Sequence, residues 1–175
     1  MKILMIYPQI DAPLGTNHGI ASLAGVLHAN GHELDLMHVS EKYKPVPSSQ
    51  EIIDHINETK PGLVGFSVMS QQYEWVEEKS KDIRKAMPDF VQVIGGVHCT
   101  MVPDDVHKSK LFDYVCVGEG DWALMELMDA LEKGDRPHTL PNFRSWMAGV
   151  PVSNPVAPFP DLEKLPPLDY DITEK

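Results

Sequence analysis

Cysteine is scarce. Only Cys99 and Cys116 occur among 175 residues, too few for a disulfide framework or for a four-cysteine zinc or iron–sulfur site. Long apolar runs are missing as well. None approaches the roughly 18 residues that a membrane span needs, and Met1–Tyr7 is too short before Pro8 for the core of a signal peptide. Positive charge is outnumbered: 15 Lys and Arg stand against 26 Asp and Glu, a formal net charge of −11. That balance disfavours attraction to nucleic-acid phosphates or an anionic membrane. A cytoplasmic location with neither partner is the expectation. Gly-x-Gly-x-x-Gly and Gly-x-x-x-x-Gly-Lys-Ser/Thr strings are absent too, which removes the main support for a dinucleotide or triphosphate site.

Several residues invite chemistry that their spacing does not support. Of the eight histidines, His28 and His32 form the one helical i, i+4 pair. Gly31 between them ends the helix, so a surface pair is expected rather than a metal site. His98 adjoins Cys99, but neighbours in sequence rarely face each other and no third orienting group is evident. Trp75 and Trp122 lie near helix starts, where packing is their expected role.

What is present reads as one folded core. Hydrophobic residues make up 42% and charged residues 23%, ordinary for a globular domain. Short apolar runs rich in β-branched residues recur at Lys2–Tyr7, Glu33–Val39, Leu63–Val68, Phe90–Ile94 and Tyr114–Val117, as buried parallel strands do. Between them Ile20, Leu23, Ala24 and Leu27 keep helical spacing, as do Ile52, Ile53 and Ile56, and later Leu124, Leu127, Met128 and Leu131. Ser48 with Glu51 makes a capping box, Gly31 and Gly134 follow helices, and Pro88 stops one. Strand and helix alternation predicts an α/β, doubly wound (Rossmann-like or flavodoxin-like) sheet of five parallel strands, with ligands at the strand carboxyl ends. Residues 1–135 are expected to form that domain. Residues 136–175, crowded with proline, read as a linker holding a small hairpin of Phe143–Met147 and Val150–Val152 around Ala148-Gly149.

The strand-end loops carry the chemistry. The third strand ends Ser67-Val68-Met69-Ser70, the fourth runs into Gly95-Gly96-Val97-His98-Cys99-Thr100, and the fifth into Gly118-Glu119-Gly120-Asp121. Paired glycines let a ligand approach the backbone, and the hydroxyls can donate to it. Each string also has a structural reading: a tight turn for the glycines, a cap for the serines, and a favourable helix-dipole partner for Glu119 and Asp121.

Taken in order with Gly19–Ala24, Asn30–Glu33 and Pro61–Ser67, these strings resemble the N-terminal cobalamin-binding domains of cobalamin-dependent radical SAM enzymes. The tail Asp161–Asp169 resembles the family's connector into its catalytic barrel. The resemblance implies a cobalamin whose nucleotide tail enters a pocket at Ser67, Val68, Met69, Gly95 and Gly96, with His98, Thr100, Gly118, Glu119 and Gly120 adjoining. It also implies a radical SAM partner domain, outside this chain, holding S-adenosylmethionine and a 4Fe-4S cluster and performing methyl transfer or a related reaction. The chain alone is then expected to show no turnover. Related mutases and methionine synthases carry an Asp-x-His-x-x-Gly string after the first strand, whose His binds cobalt. Here Asp11 and His18 are too far apart to match it, so no histidine ligand is expected and His18 reads as a surface or helix-capping residue. Two rival readings share the fold: a cofactor-free scaffold or substrate-recognition domain, and a response-regulator-like or flavodoxin-like module. The latter lacks the paired early acidic residues of a phosphoacceptor.

Overall fold

A computed structural model of the chain describes every residue except 14, 16, 174 and 175. Strands and helices alternate in the order β1 (Lys2–Pro8), α1 (His18–Ala29), β2 (Glu33–Val39), α2 (Ser49–Thr59), β3 (Leu63–Ser67), α3 (Tyr73–Ala86) and β4 (Val91–Gly95). Two short helices follow, α4 (Val97–Met101) and α5 (Pro103–Lys108), then β5 (Tyr114–Cys116), α6 (Asp121–Glu132), β6 (Phe143–Met147) and β7 (Val150–Ser153). The sheet order is β2-β1-β3-β4-β5-β6-β7.

The first five strands are parallel. The expectation of a five-stranded sheet is corrected to seven, because the hairpin does not hang free of the domain. Its strand β6 pairs antiparallel with β5, placing Phe143 opposite Cys116, and β7 pairs with β6. Phe143 and Ser145 point inward at 2% and 1% exposure while Arg144 and Trp146 stay half-buried, the period-2 pattern of a strand with one covered face.

That same alternation divides the core. Ile3, Met5, Tyr7, Leu63, Val93 and Cys116 face α1 and α6, whereas Leu4, Ile6, Val64, Phe66, Ile94 and Val115 face the helices of the other side. The predicted capping box forms, with Ser48 Oγ accepting from Glu51 N–H at 3.3 Å and the Glu51 carboxylate accepting from Ser48 N–H at 2.8 Å. Beyond β7 the chain returns to α1. Asp169 N–H donates to the Ala21 carbonyl at 2.9 Å, His28 Nδ1 lies 2.6 Å from Asp169 Oδ2, and Ile172 is buried in the core. His28 and His32 do not converge. His32 is buried rather than on the surface, with Nδ1 3.0 Å from the N-terminal amine and Nε2 3.2 Å from Asp129.

Candidate functional site

Strand order reverses between β1 and β3, since β2 lies on one side of β1 and every later strand on the other. A parallel sheet opens at such a point, because its flanking helices run off in opposite directions. Here the carboxyl ends of β1, β3, β4 and β5 open into a cleft of about 710 Å³, between the sheet and the amino ends of α1 and α6. That volume falls within the range of ligand-binding sites.

Met5 and Tyr7 from β1, Val93 from β4, Cys116 from β5 and Phe143 from β6 give the cleft an apolar floor. Burial pushes the Cys116 thiol up to about 12, and the carboxylates of Asp121 and Glu119 push the same way. Near neutral pH Cys116 is therefore a protonated, apolar part of the wall. Cys99, also raised to about 12 by burial, packs in the opposite core.

The strings singled out in the sequence meet at this cleft. Ser67, Val68, Met69, Gly95, Gly96, Thr100, Gly118, Glu119 and Gly120 all line it. Ser67 pairs in register with Gly95, Val68 N–H donates to the Gly95 carbonyl at 3.0 Å, and His98 N–H donates to the Val68 carbonyl at 3.2 Å. Gly96 carries the tightest requirement. Its φ is +97°, and a Cβ there would sit 2.8 Å from both the backbone N and the O of Val68, so only glycine fits. Thr100 ties two loops together, accepting from Gly118 N–H at 3.1 Å and donating to the Gly96 carbonyl at 3.3 Å. The Ser67 hydroxyl has no hydrogen-bond partner among the described residues, so it is available to a ligand.

His98 lies apart from this group. The first turn of α4 carries it away from the cleft lining, with Nδ1 3.0 Å from Ser70 Oγ and its ring 4.2 Å from that of Tyr73. Burial lowers its pKa, with Asp105 opposing. His18 begins α1, and its Nδ1 lies 2.7 Å from the Tyr170 hydroxyl. Asp11 adopts a left-handed φ of +52° and donates its N–H to Glu41 at 3.1 Å. Residues 14 and 16 of that first loop lie outside the described residues. Asp121 serves structure, accepting from the Ser22 hydroxyl of α1 at 2.5 Å.

Other lining residues were not singled out from the sequence. Asn17 caps α1 by accepting from Ile20 N–H at 3.0 Å and also borders the cleft. Its position before an apolar helical run is the signal that was there to use. Val156–Phe159, from the proline-rich tail, complete the border.

Comparison with known proteins agrees with this geometry. A family model described as B12 binding domain matches residues 12–128, well over half of the chain. Among curated proteins, the anaerobic magnesium-protoporphyrin IX monomethyl ester cyclase of Rubrivivax gelatinosus is 28% identical, over 99% of this chain and 33% of that protein. An uncharacterized methyltransferase of Pyrococcus horikoshii is 26% identical, over 77% of this chain and 30% of its own length. The chain thus spans about a third of these relatives. Among solved structures, the cobalamin-dependent S-adenosylmethionine radical enzyme OxsB, with aqua-cobalamin and S-adenosylmethionine bound, aligns with a TM-score of 0.77 at 16% identity. That alignment covers 98% of this chain and 24% of OxsB. The radical S-adenosylmethionine methyltransferase TsrM of Kitasatospora setae, with cobalamin and a [4Fe-4S] cluster bound, aligns with a TM-score of 0.75 at 19% identity, covering 95% of this chain and 31% of TsrM. These two likenesses establish the fold. The family match, which spans the cleft-lining strings Ser67–Met69, Gly95–Val97 and Gly118–Gly120, establishes more: the chain belongs to the B12-binding domain family.

Proposed function

We propose that the cleft receives the nucleotide arm of a cobalamin, and that the chain is the cofactor-holding part of a radical SAM enzyme of the methyltransferase or related class. The observation that carries this reading is the pairing, inside the cleft, of a free Ser67 hydroxyl with the Cβ-less Gly95-Gly96 backbone. An apolar slot suits an aromatic base, and the hydroxyl supplies one polar anchor for its orientation. Ser67, Val68, Met69, Gly95 and Gly96 would hold the arm. Thr100, Gly118, Glu119 and Gly120 would shape the rim, and His98, outside the cleft, would tie α4 to Ser70. Bound cobalamin supplies a cobalt centre that can accept and donate a methyl group. Residues 1–135 would form the cofactor-binding unit, and residues 136–175 would close its edge and lead toward a radical SAM domain that carries S-adenosylmethionine and a 4Fe-4S cluster. The uncharacterized methyltransferase and TsrM support the methyl-transfer class, and the cyclase and OxsB support the broader one.

The test is retention. The purified chain is mixed with hydroxocobalamin, desalted, and its visible spectrum recorded. Near-stoichiometric cofactor is expected, and Ser67→Trp, which fills the slot from the carboxyl end of β3, is expected to abolish retention with an unchanged circular dichroism spectrum. Complete washout of both hydroxocobalamin and methylcobalamin from the wild-type chain overturns the reading.

A further inference from the structure

Past β7 the chain runs by the mouth of the cleft, and one side chain fixes it there. Asn142 is 4% exposed and holds a left-handed φ of +67°. Its Nδ2 donates to the Glu119 carbonyl at 2.8 Å, and its Oδ1 accepts from Ala157 N–H at 2.8 Å. Its own N–H donates to the Pro155 carbonyl at 3.0 Å, and its carbonyl accepts from Val117 N–H at 2.8 Å. A buried amide that satisfies both side-chain atoms on two separate loops fixes their spacing, because releasing either contact leaves a polar group unpaired. The spacing is close. Gly118 holds a φ of +82°, which favours glycine, and a Cβ there would come 3.0 Å from Val156 Cγ1, so the Val156 side chain would have to give way.

What Asn142 holds in place is wholly apolar: Val156, Ala157, Pro158 and Phe159, all bordering the cleft. Phe159 is 87% exposed, and Pro158 and Pro160 on either side restrict the backbone around it. A phenyl ring 87% exposed gains little from the domain's own packing. It gains more from contact with something seated in the cleft, since each apolar surface then leaves water. The wall is continuous with the proposed cofactor slot, and it lies beyond residue 128, where the match to the B12-binding family ends.

We propose that Val156–Phe159 form a further binding wall for cobalamin at the mouth of the cleft, with Phe159 as its contact residue and Asn142 as the positioning residue that sets its distance from the Gly118–Gly120 loop. The proposal rests on the cobalamin reading above. It adds a contact surface from the tail, and it makes the tail part of the site rather than only a connection.

The experiment measures the Kd of hydroxocobalamin for the 175-residue chain and its variants by quenching of tryptophan fluorescence, alongside the Tm of each ligand-free protein. Phe159→Ala is expected to weaken binding about fivefold to tenfold, as loss of part of one aromatic contact should, with no change in Tm. Asn142→Gly tolerates the left-handed backbone but loses both side-chain bonds, and is expected to weaken binding by at least as much. Asn142→Asp keeps the acceptor for Ala157 N–H but sets a buried carboxylate oxygen against the Glu119 carbonyl, so it should weaken binding at least as much as Asn142→Gly. In the wild type, cobalamin should also slow hydrogen exchange at the Ala157 amide. Wild-type affinity in both Phe159→Ala and Asn142→Gly overturns this proposal alone. A wild-type chain that binds no cobalamin overturns it together with the cofactor reading. Should Asn142→Gly fail to fold, Phe159→Ala, at an exposed position, decides the matter.

Discussion

Gly96 is held by two constraints that reinforce each other: a φ of +97° and the Val68 backbone 2.8 Å from where a Cβ would stand. Gly96→Ala is therefore expected to cost about 1–3 kcal/mol, read as a lower urea midpoint at unchanged m-value. Gly95→Ala, whose Cβ would meet Cys116 Cβ at an ordinary 3.4 Å, should cost less. The cysteines give a pH prediction. Burial raises both thiols from 9.0 to about 12 in the folded protein, so the native state keeps protons that the unfolded chain gives up near pH 9. The stability tied to these thiols is fully present below pH 9 and is lost progressively toward pH 12. Thermal melts across pH 7–10.5 should show a level Tm that falls above about pH 9. Iodoacetamide at pH 8 should label neither cysteine until the protein unfolds. Rapid labelling of the native protein would contradict their burial.

Among the elements, the β6–β7 hairpin changes how the tail is understood. Phe143 is 2% exposed, and its ring meets that of Tyr114 edge-on, with centroids 5.8 Å apart. Phe143→Ala should cost about 3–5 kcal/mol and leave a single unfolding transition. Two separate transitions would show that the hairpin folds apart from the sheet. The parallel strands were legible because strands covered on both faces read as continuous apolar runs, and α1, α2 and α6 because they are long enough to show a period, while α3 was marked by Pro88 beyond its end. The hairpin was legible from Ala148-Gly149, but its attachment to β5 was not, since nothing local in Phe143–Met147 names the strand it will meet. The helices α4 and α5 were missed for another reason. At five and six residues they are too short for helical periodicity, and their Gly95-Gly96 approach and Pro103 read as loop.

Across the whole molecule, the candidate site is legible where it follows from topology and obscure where it follows from long-range packing. Ser67 and Gly95 end parallel strands and Gly118 follows one closely, so any reading that finds the strands finds them too. His98 shares their loop but not their cleft, because one helical turn sends it toward Ser70 and Tyr73. Phe159 and Asn142 gave no local signal, since their places are set by hydrogen bonds running from residue 142 to 119 and 157. Among the described residues no helix is long and apolar enough to cross a membrane. The central claim is that the cleft recognises the nucleotide arm of cobalamin, and cobinamide, the same corrin without that arm, tests it most directly. Titrating the chain with each should show cobinamide binding weaker by about tenfold or more, the worth of one well-buried aromatic group. Equal affinity for the two would contradict the account.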